Sequence, residues 1–266
     1  MKPSLYAQKL TSLTGTLTVV ILCLTSVVLL QRPKLQLKRS VLTQAEYVRQ
    51  EQTEKVGLNI LKNIPSFGFK NLLADWIYLR FLQYFGDSEV REKIGYSLSP
   101  DYFEAIVERN PRFVESYILL APATSIFAGH PQKTVALIEQ GLQSISPETS
   151  SLSYYLWIYK GVDEMLFLGD TQAAKQSYEM AAKWAETYKD PVSQERATNA
   201  RQTAQFLAKD PNSKTARIGA WTMVLSSAPD QKTQQRAINQ IKALGGEIII
   251  TPEGRLTVQV PKEDKF

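Results

Sequence analysis

The sequence has little of the chemistry on which most enzymes and metal sites depend. Its 266 residues include one cysteine, Cys23, and one histidine, His130. A disulfide within the chain is therefore excluded, and metal sites built from cysteine and histidine are nearly excluded as well. His130 lies in Gly-His-Pro, where we expect a turn between helices, so a capping or solvent-exposed role accounts for it without catalysis.

Other catalytic and nucleotide-binding patterns are also missing. Gly245-Gly246 leads into an expected strand and lacks the lysine of a phosphate-binding loop. Asp163 and Glu164 are adjacent, so on a helix they point to different sides and do not make a carboxylate pair. We therefore predict no catalytic residue, no cofactor, no metal and no small-molecule substrate. An enzyme with an unrecognised carboxylate site is the alternative.

Charge of one sign is not concentrated in the sequence. The net charge is +5, and no block of five or six like charges occurs. A protein that binds nucleic acid usually shows a stronger basic patch, so we expect no nucleic-acid partner. The small excess of lysine and arginine is typical of solvated helix faces.

One long uncharged run lies near the N-terminus, from Leu13 to Leu30. As a helix its 18 residues would reach about 27 Å, close to the hydrocarbon thickness of a bilayer. A cleaved signal peptide is the alternative, but it has a shorter apolar core and a small-x-small cleavage site, which this run lacks. The run therefore predicts a single-pass membrane protein of bacterial type. Positive charges are nearly balanced across it, so the side of the soluble body is not assigned.

A basic linker follows the apolar run. Its cations are in a position to rest on anionic lipid headgroups, although a stop-transfer cluster that only fixes topology is the simpler explanation. The four residues are Arg32, Lys34, Lys38 and Arg39. Beyond them, a polar stretch rich in helix-forming residues predicts a helix from Gln44 to Leu61.

The densest aromatic segment is Phe67–Asp87. Apolar residues cover almost every side of the helix that it predicts, which is typical of a helix packed between others. We therefore expect Trp76, Tyr78, Phe81 and Tyr84 in the core. The alternative is a surface that lies against a membrane or a partner, with Trp76 as a contact residue.

The clearest periodic pattern follows Gly169-Asp170. Ala174, Tyr178 and Ala181 are four and three residues apart, so they share one face of a helix. A face that alternates small and large residues is suited to close packing against another helix. The same small-large-small order occurs earlier at Thr134, Ile138 and Gly141.

Three glycines set the interval of this pattern. Gly95, Gly129 and Gly169 are 34 and then 40 residues apart, and the longer interval contains the Ser/Pro/Thr-rich insert Ser146–Ser151. The pattern resembles the tetratricopeptide-repeat superfamily, whose period is 34. The resemblance covers roughly 84–225 and is strongest over 155–186. It implies stacked helix pairs whose concave side is lined mainly by the first helices.

That resemblance also implies where a partner would bind. The expected partner-binding residues lie on the first helices and combine tyrosines with a lysine, which suits a protein or peptide partner. The alternative is that half of the tyrosines are buried between helices. The five residues are Tyr117, Tyr154, Tyr155, Tyr159 and Lys160.

Towards the C-terminus the period changes. Residues 213–244 predict two helices, and then apolar residues alternate on both sides of a Pro-Glu-Gly turn. This alternation predicts a β-hairpin with one apolar face. Its apolar positions are Ile248, Ile250, Leu256, Val258 and Val260.

These observations predict an all-α fold with an N-terminal transmembrane helix, a tetratricopeptide-like body and a small C-terminal β-hairpin. The expected segments are a tail (1–11), an anchor (12–31), a basic linker and helix (32–62), helical repeats (63–228), and a C-terminal helix with the hairpin (229–266).

The predicted function is a non-enzymatic, membrane-anchored scaffold that binds a protein partner during assembly or stabilisation of a membrane complex. The layout is similar to that of thylakoid and bacterial inner-membrane assembly factors, and Phe69–Trp76 resembles a stretch of bacterial membrane-tethered repeat proteins. The alternative function is a lipid-surface module that uses residues 67–85.

Overall fold

The computed structural model describes residues 17–30, 43–209, 214–228, 230–250 and 256–259. These residues are mostly helical, with one small two-stranded sheet, as predicted. Residues 1–47 and 48–266 form separate compact units. The α-helices are α1 (17–30), α2 (Gln44–Asn63), α3 (Lys70–Gly86), α4 (Ser88–Ile94), α5 (Ser99–Arg109), α6 (Val114–Ala121), α7 (Pro131–Leu142), α8 (Tyr154–Asp163), α9 (Thr171–Ala185), α10 (Pro191–Lys209), α11 (Lys214–Ser227) and α12 (Gln231–Ala243).

Three shorter helical segments and two strands complete the described structure. The π-helical segments are π1 (Pro122–Phe127) and π2 (Glu164–Leu168), and a 3-10 turn covers Pro147–Thr149. Strand β1 (Glu247–Ile250) pairs antiparallel with β2 (Leu256–Gln259). The predicted hairpin is therefore confirmed, while its turn and Val260 lie outside the described residues.

The predicted membrane anchor requires a correction. The described part of the apolar run is the helix 17–30. Over the residues that the structure describes, no helix is both long and apolar enough to cross a membrane. This finding contradicts the prediction of a single-pass membrane protein.

Helix starts follow local capping chemistry. Oδ1 of Asp170 accepts a hydrogen bond from the amide of Ala173 at 2.9 Å, and Oδ1 of Asp230 accepts one from the amide of Thr233 at 2.9 Å. Each of these bonds satisfies an amide that the first turn of a helix leaves unpaired. Pro131 and Pro191 are the first residues of α7 and α10, a position where the missing amide hydrogen costs nothing.

The three periodic glycines each follow a helical segment and have positive φ. Gly95, Gly129 and Gly169 have φ values of +78°, +79° and +72°, in the left-handed region that favours glycine. Gly95 follows α4, Gly129 follows π1, and Gly169 follows π2. Their intervals of 34 and 40 residues therefore separate glycines of positive φ, but ψ is −159° at Gly95 and 14° at Gly169, so these two turns differ in conformation.

The small-large pattern of α9 packs as predicted. Ala174, Tyr178 and Ala181 are all buried. Tyr178 fits against α8 because position 161 is glycine, where a β-carbon would lie 3.1 Å from Cε2 of Tyr178. Gly141 of α7 makes room for the ring of Tyr117 in the same manner. Small residues thus admit one large ring in each of two successive helix pairs.

The larger unit contains three hydrophobic clusters. The first joins α3, α5, α6, α7 and α8, and the second lies between α9 and α10. The third holds α11 and α12 together, with Ile126 of π1 and Phe167 of π2 packed against it. The C-terminal helices therefore dock on the π-helical segments that precede Gly129 and Gly169.

Cations of the C-terminal helices approach all three glycine turns. Arg236 donates hydrogen bonds to the carbonyl oxygens of Ile126 at 2.6 Å and of Phe127 at 3.3 Å, at the end of π1. Arg217 lies 3.2 Å from where a β-carbon of Gly169 would be, and Cδ of Lys232 lies 3.7 Å from that of Gly95. Carbonyls at a helix end are unpaired and partially negative, so cations stabilise them.

The hairpin places its apolar face on the same helices. Ile248 pairs with Val258 across the two strands, and both side chains pack against the third cluster. Ile249, which alternates to the other face, is exposed. The predicted single apolar face is therefore confirmed at Ile248 and Val258.

Candidate interaction surfaces

Helix α3 divides into a buried face and an exposed face. Ala74, Ile77, Phe81 and Tyr84 are buried, as the sequence predicted for Phe81 and Tyr84. Trp76 is 55% exposed, so the expectation that it lies in the core is wrong. Half of this aromatic helix belongs to the core, and the other half meets solvent.

The exposed half of α3 forms one apolar stripe. Phe69, Leu72, Trp76 and Leu79 are each more than half exposed. Leu72, Trp76 and Leu79 are four and three residues apart, which places them along one side of α3, and Phe69 is the residue just before its first turn. We call these four residues the α3 stripe. Contiguous apolar surface of this kind marks interaction sites in soluble proteins.

Helix α2 lies beside α3 without covering the stripe. Glu54 accepts two hydrogen bonds from Nη2 of Arg80, at 2.7 and 2.8 Å, and Leu58 is buried in the first cluster. Three further apolar side chains of this region point to solvent from α2 and its following turn. They are Val56, Ile60 and Ile64.

The polar residues beside the α3 stripe are mostly uncharged. Asn71 and Gln83 are exposed and neutral. Asp75 is exposed and makes no ion pair within the described part of the chain. Arg80 is neutralised by Glu54. Within α3, Asp75 and Lys70 are therefore the exposed charges without an ion pair in the described part of the chain, and Asp75 is the one next to Trp76.

The residues predicted to lie on a membrane surface are mostly outside the structure. Trp76 is described and exposed, as above. The four cations of that prediction lie outside the described residues, and they are Arg32, Lys34, Lys38 and Arg39.

Two of the predicted partner-binding tyrosines are core residues. Tyr117 is 1% exposed, and its hydroxyl donates to the carbonyl oxygen of Pro111 at 2.9 Å. Tyr154 is 2% exposed, and its ring stacks on Tyr155 with centroids 4.6 Å apart. Burial raises the pKa of both hydroxyls. Neither side chain presents surface to a partner.

Tyr155 and Tyr159 keep part of their surface. Their rings stack with centroids 6.0 Å apart, on successive turns of α8. Partial burial raises the pKa of Tyr159, Tyr155 raises it further, and Arg196 opposes the shift. Of the four tyrosines predicted to bind a partner, these two are the ones that are only partly buried.

Lys160 is held inside the protein by carboxylates. Its ammonium contacts Glu164 and lies 3.3 Å from Oε1 of Glu139, and the lysine is 8% exposed. Ser177 donates a hydrogen bond to Glu164 at 2.7 Å. The positive charge of Lys160 is therefore neutralised within the fold.

Asp163 occupies a separate buried site. Its Oδ2 lies 2.5 Å from the hydroxyl of Ser125, which lies 2.8 Å from the hydroxyl of Thr134. Burial raises the pKa of Asp163 to about 8, with a smaller rise from Glu164, while the Ser125 hydrogen bond opposes the shift. Asp163 and Glu164 point to different sides, as predicted. They are 1% and 3% exposed, so both are closed to a dissolved substrate.

The sequence did not indicate this burial of two acidic residues. The available signal was the spacing of Lys160 and Glu164, which are four residues apart and pair on one side of a helix. Across the described residues, no group of three His, Cys, Asp or Glu side chains is arranged to hold a metal ion.

Comparisons of the chain with protein-family models, with curated proteins and with solved structures found no match. The candidate surfaces therefore rest on the geometry above.

Proposed function

We propose that this protein is a non-enzymatic scaffold that binds a protein partner through the α3 stripe. The observation that carries the proposal is the exposure of Phe69, Leu72, Trp76 and Leu79 along one side of a helix whose other side is core. Large aromatic and aliphatic side chains that lose their hydration on binding supply most of the free energy of a protein interface.

A tetratricopeptide-like body supports the same function. Gly129 and Gly169 each follow a π-helical segment, and a glycine admits a tyrosine ring in each of two successive helix pairs, Gly141 for Tyr117 and Gly161 for Tyr178. Arrays of this kind present extended surfaces to protein partners, and we propose that this chain uses its surface in the assembly of a protein complex. The step from repeat-like fold to scaffold is by analogy.

Reciprocal capture tests the proposal. The full chain would be used to capture proteins from the cells that make it, and each candidate would then be purified and tested for direct binding. We expect one purified partner to bind the wild type and to lose binding to a Leu72→Ala/Trp76→Ala variant. Val192→Ala/Phe206→Ala is a matched control, because these apolar residues are equally exposed on α10.

A third variant examines the other surface. Tyr155→Ala/Tyr159→Ala removes the two partly buried rings of α8, and we expect it to bind the partner as the wild type does. If no purified protein binds the wild type, or if the α3 variant binds normally, the proposal is wrong.

A lipid surface is the competing occupant, since exposed tryptophan and phenylalanine also suit a membrane interface. Sedimentation of the full chain with equimolar phosphatidylglycerol–phosphatidylcholine vesicles tests it. We expect the wild type and the Leu72→Ala/Trp76→Ala variant to sediment equally. Vesicle binding that is lost only in the α3 variant would assign the stripe to lipid.

A further inference from the structure

The spacing of the α3 stripe identifies the shape of its occupant. Within α3, Leu72, Trp76 and Leu79 are four and three residues apart, the intervals of d, a and d positions of a coiled coil, and Phe69 lies just before the helix. Such a seam takes one helix. The seam from Leu72 to Leu79 is about 10 Å long, or roughly two helical turns.

The position of α3 points to the same occupant. On its buried side α3 packs against α5, and α5 packs in turn against α7. At the opposite end of the helical body, α10 packs against α9, and the other face of α10 is polar and exposed to solvent. Terminal units of helical arrays need such a polar outer face, and α3 lacks one. One more helix on the stripe would complete the array at this end.

The charge beside the stripe indicates which charge the bound helix should carry. Asp75 precedes Trp76 and occupies the position that flanks a coiled-coil seam, where interhelical ion pairs form. It is exposed and makes no ion pair in the described part of the chain. A helix with lysine or arginine opposite Asp75 complements it, and an anionic lipid surface does not.

A second copy of this chain fits the stripe less well. In an antiparallel pair of α3 helices, Asp75 would face Asp75 of the other copy, which is repulsive. In a parallel pair it would face Arg80, which Glu54 already binds through two hydrogen bonds.

We propose that the α3 stripe binds a single amphipathic α-helix of another protein, with a basic residue of that helix opposite Asp75. This inference rests on the proposed function and adds the partner's secondary structure and charge.

Site-specific photo-crosslinking of the full chain tests the inference. p-Benzoylphenylalanine would replace Leu72, Leu79, Tyr159 or, as a control on α10, Phe206, in the cells that make the protein. We expect adducts from positions 72 and 79 to one segment of one protein, and none from position 206. Peptide mapping identifies the segment, and circular dichroism of the synthetic peptide with the purified chain should show added helix.

Charge exchange tests the ion pair. Asp75→Lys should weaken binding of that synthetic peptide by about tenfold, and changing the facing basic residue of the peptide to glutamate should restore it. Equal binding of the peptide to wild type and to Asp75→Lys would overturn the predicted charge.

The outcomes separate this inference from the proposed function. Adducts to lipid, to a second copy of the chain or to an extended segment overturn the inference. Protein adducts from position 159 alone overturn both, because the proposed function also places the partner on the α3 stripe, whereas adducts from positions 72 and 79 to an extended segment leave the proposed function standing. Absence of protein adducts from all of these positions overturns both.

Discussion

The two ends of the helical body face solvent with opposite chemistry. At one end α10 buries a line of small and aliphatic residues and exposes mainly amides, hydroxyls and charges, with Val192 and Phe206 as isolated exceptions. Its exposed polar residues include Gln194, Glu195, Thr198, Asn199, Gln202 and Gln205. At the other end α3 buries a similar line but exposes Leu72, Trp76 and their neighbours.

This difference shows that burial on the inner side does not determine the outer side. Both helices are fixed to the body by buried residues, so an apolar outer face adds nothing to the folding of α3. A polar outer face is typical of the terminal helix of an array, whereas an apolar outer face can be covered by a further helix. The following measurements test this comparison.

The largest effects should come from the inner faces, and they should be similar at the two ends. Phe81→Ala should lower the free energy of unfolding by about 3–5 kcal/mol, and Leu207→Ala by about 2–5 kcal/mol, because each leaves a cavity in a packed cluster. Urea unfolding measures both. A small effect at Phe81 with a large one at Leu207 would mean that α3 is not part of the folded body.

Between the two ends, stability should depend on the protonation of Asp163. Its pKa is about 8 in the folded protein, against 3.8 as the ordinary value, so folding favours the protonated form. The stabilisation is complete below pH 4 and is lost as the pH rises through about 8, on the order of a few kcal/mol. Asp163→Asn should remove this part of the pH dependence of unfolding; parallel wild-type and variant curves would contradict it.

A smaller effect should distinguish two of the three cations of α12, Arg236 and Lys232. Arg236→Ala should lower the free energy of unfolding by about 1.5–3 kcal/mol, because three carbonyl oxygens at the end of π1 lose a charged donor. Lys232→Ala is the matched control, since Lys232 is exposed and its Cδ and Nζ come no nearer than 3.7 and 4.0 Å to where a β-carbon of Gly95 would lie. We expect a change within about 0.5 kcal/mol for the control. Equal losses would show that the contact with π1 does not hold the C-terminal helices.

The smallest effects on stability should come from the outer faces, where only binding should differ. Leu72→Gln/Trp76→Gln and Val192→Gln/Phe206→Gln should each change the free energy of unfolding by no more than about 0.5 kcal/mol per residue. The first variant should lose its partner and the second should keep it, as measured by titration calorimetry. Loss of partner binding in both variants would mean that the two ends do not differ in their contribution to binding.

Periodic features of the fold could be predicted from the sequence because each depends on neighbours along the chain. The spacing of Ala174, Tyr178 and Ala181 sets the buried side of α9, and the period of two sets the hairpin. The turns at Gly129 and Gly169 follow from the conformational freedom of glycine. These rules are local, so they hold before any tertiary contact is known.

The candidate site could not be predicted in the same way. Trp76 and Phe81 are both aromatic residues of one helix, and only the positions of α2 and α5 decide which of them meets solvent. Tyr154 and Tyr155 are adjacent and identical, yet the first is buried and the second half-exposed. Leu13–Leu30 predicts a membrane span from hydropathy and length alone, yet among the described residues no helix is both long and apolar enough to cross a membrane.

The contact between Arg236 and Ile126 has a consequence for how the chain folds during synthesis. These residues are 110 positions apart, so the contact forms only after nearly the whole chain has left the ribosome. The glycine turns and their helix pairs consist of nearer neighbours and can fold earlier. The C-terminal helices should therefore pack after the helix pairs, and only onto pairs that have already folded with the correct spacing. A chain truncated before Lys214 should populate a less cooperative state, in which the ends of π1 and π2 exchange amide hydrogens faster.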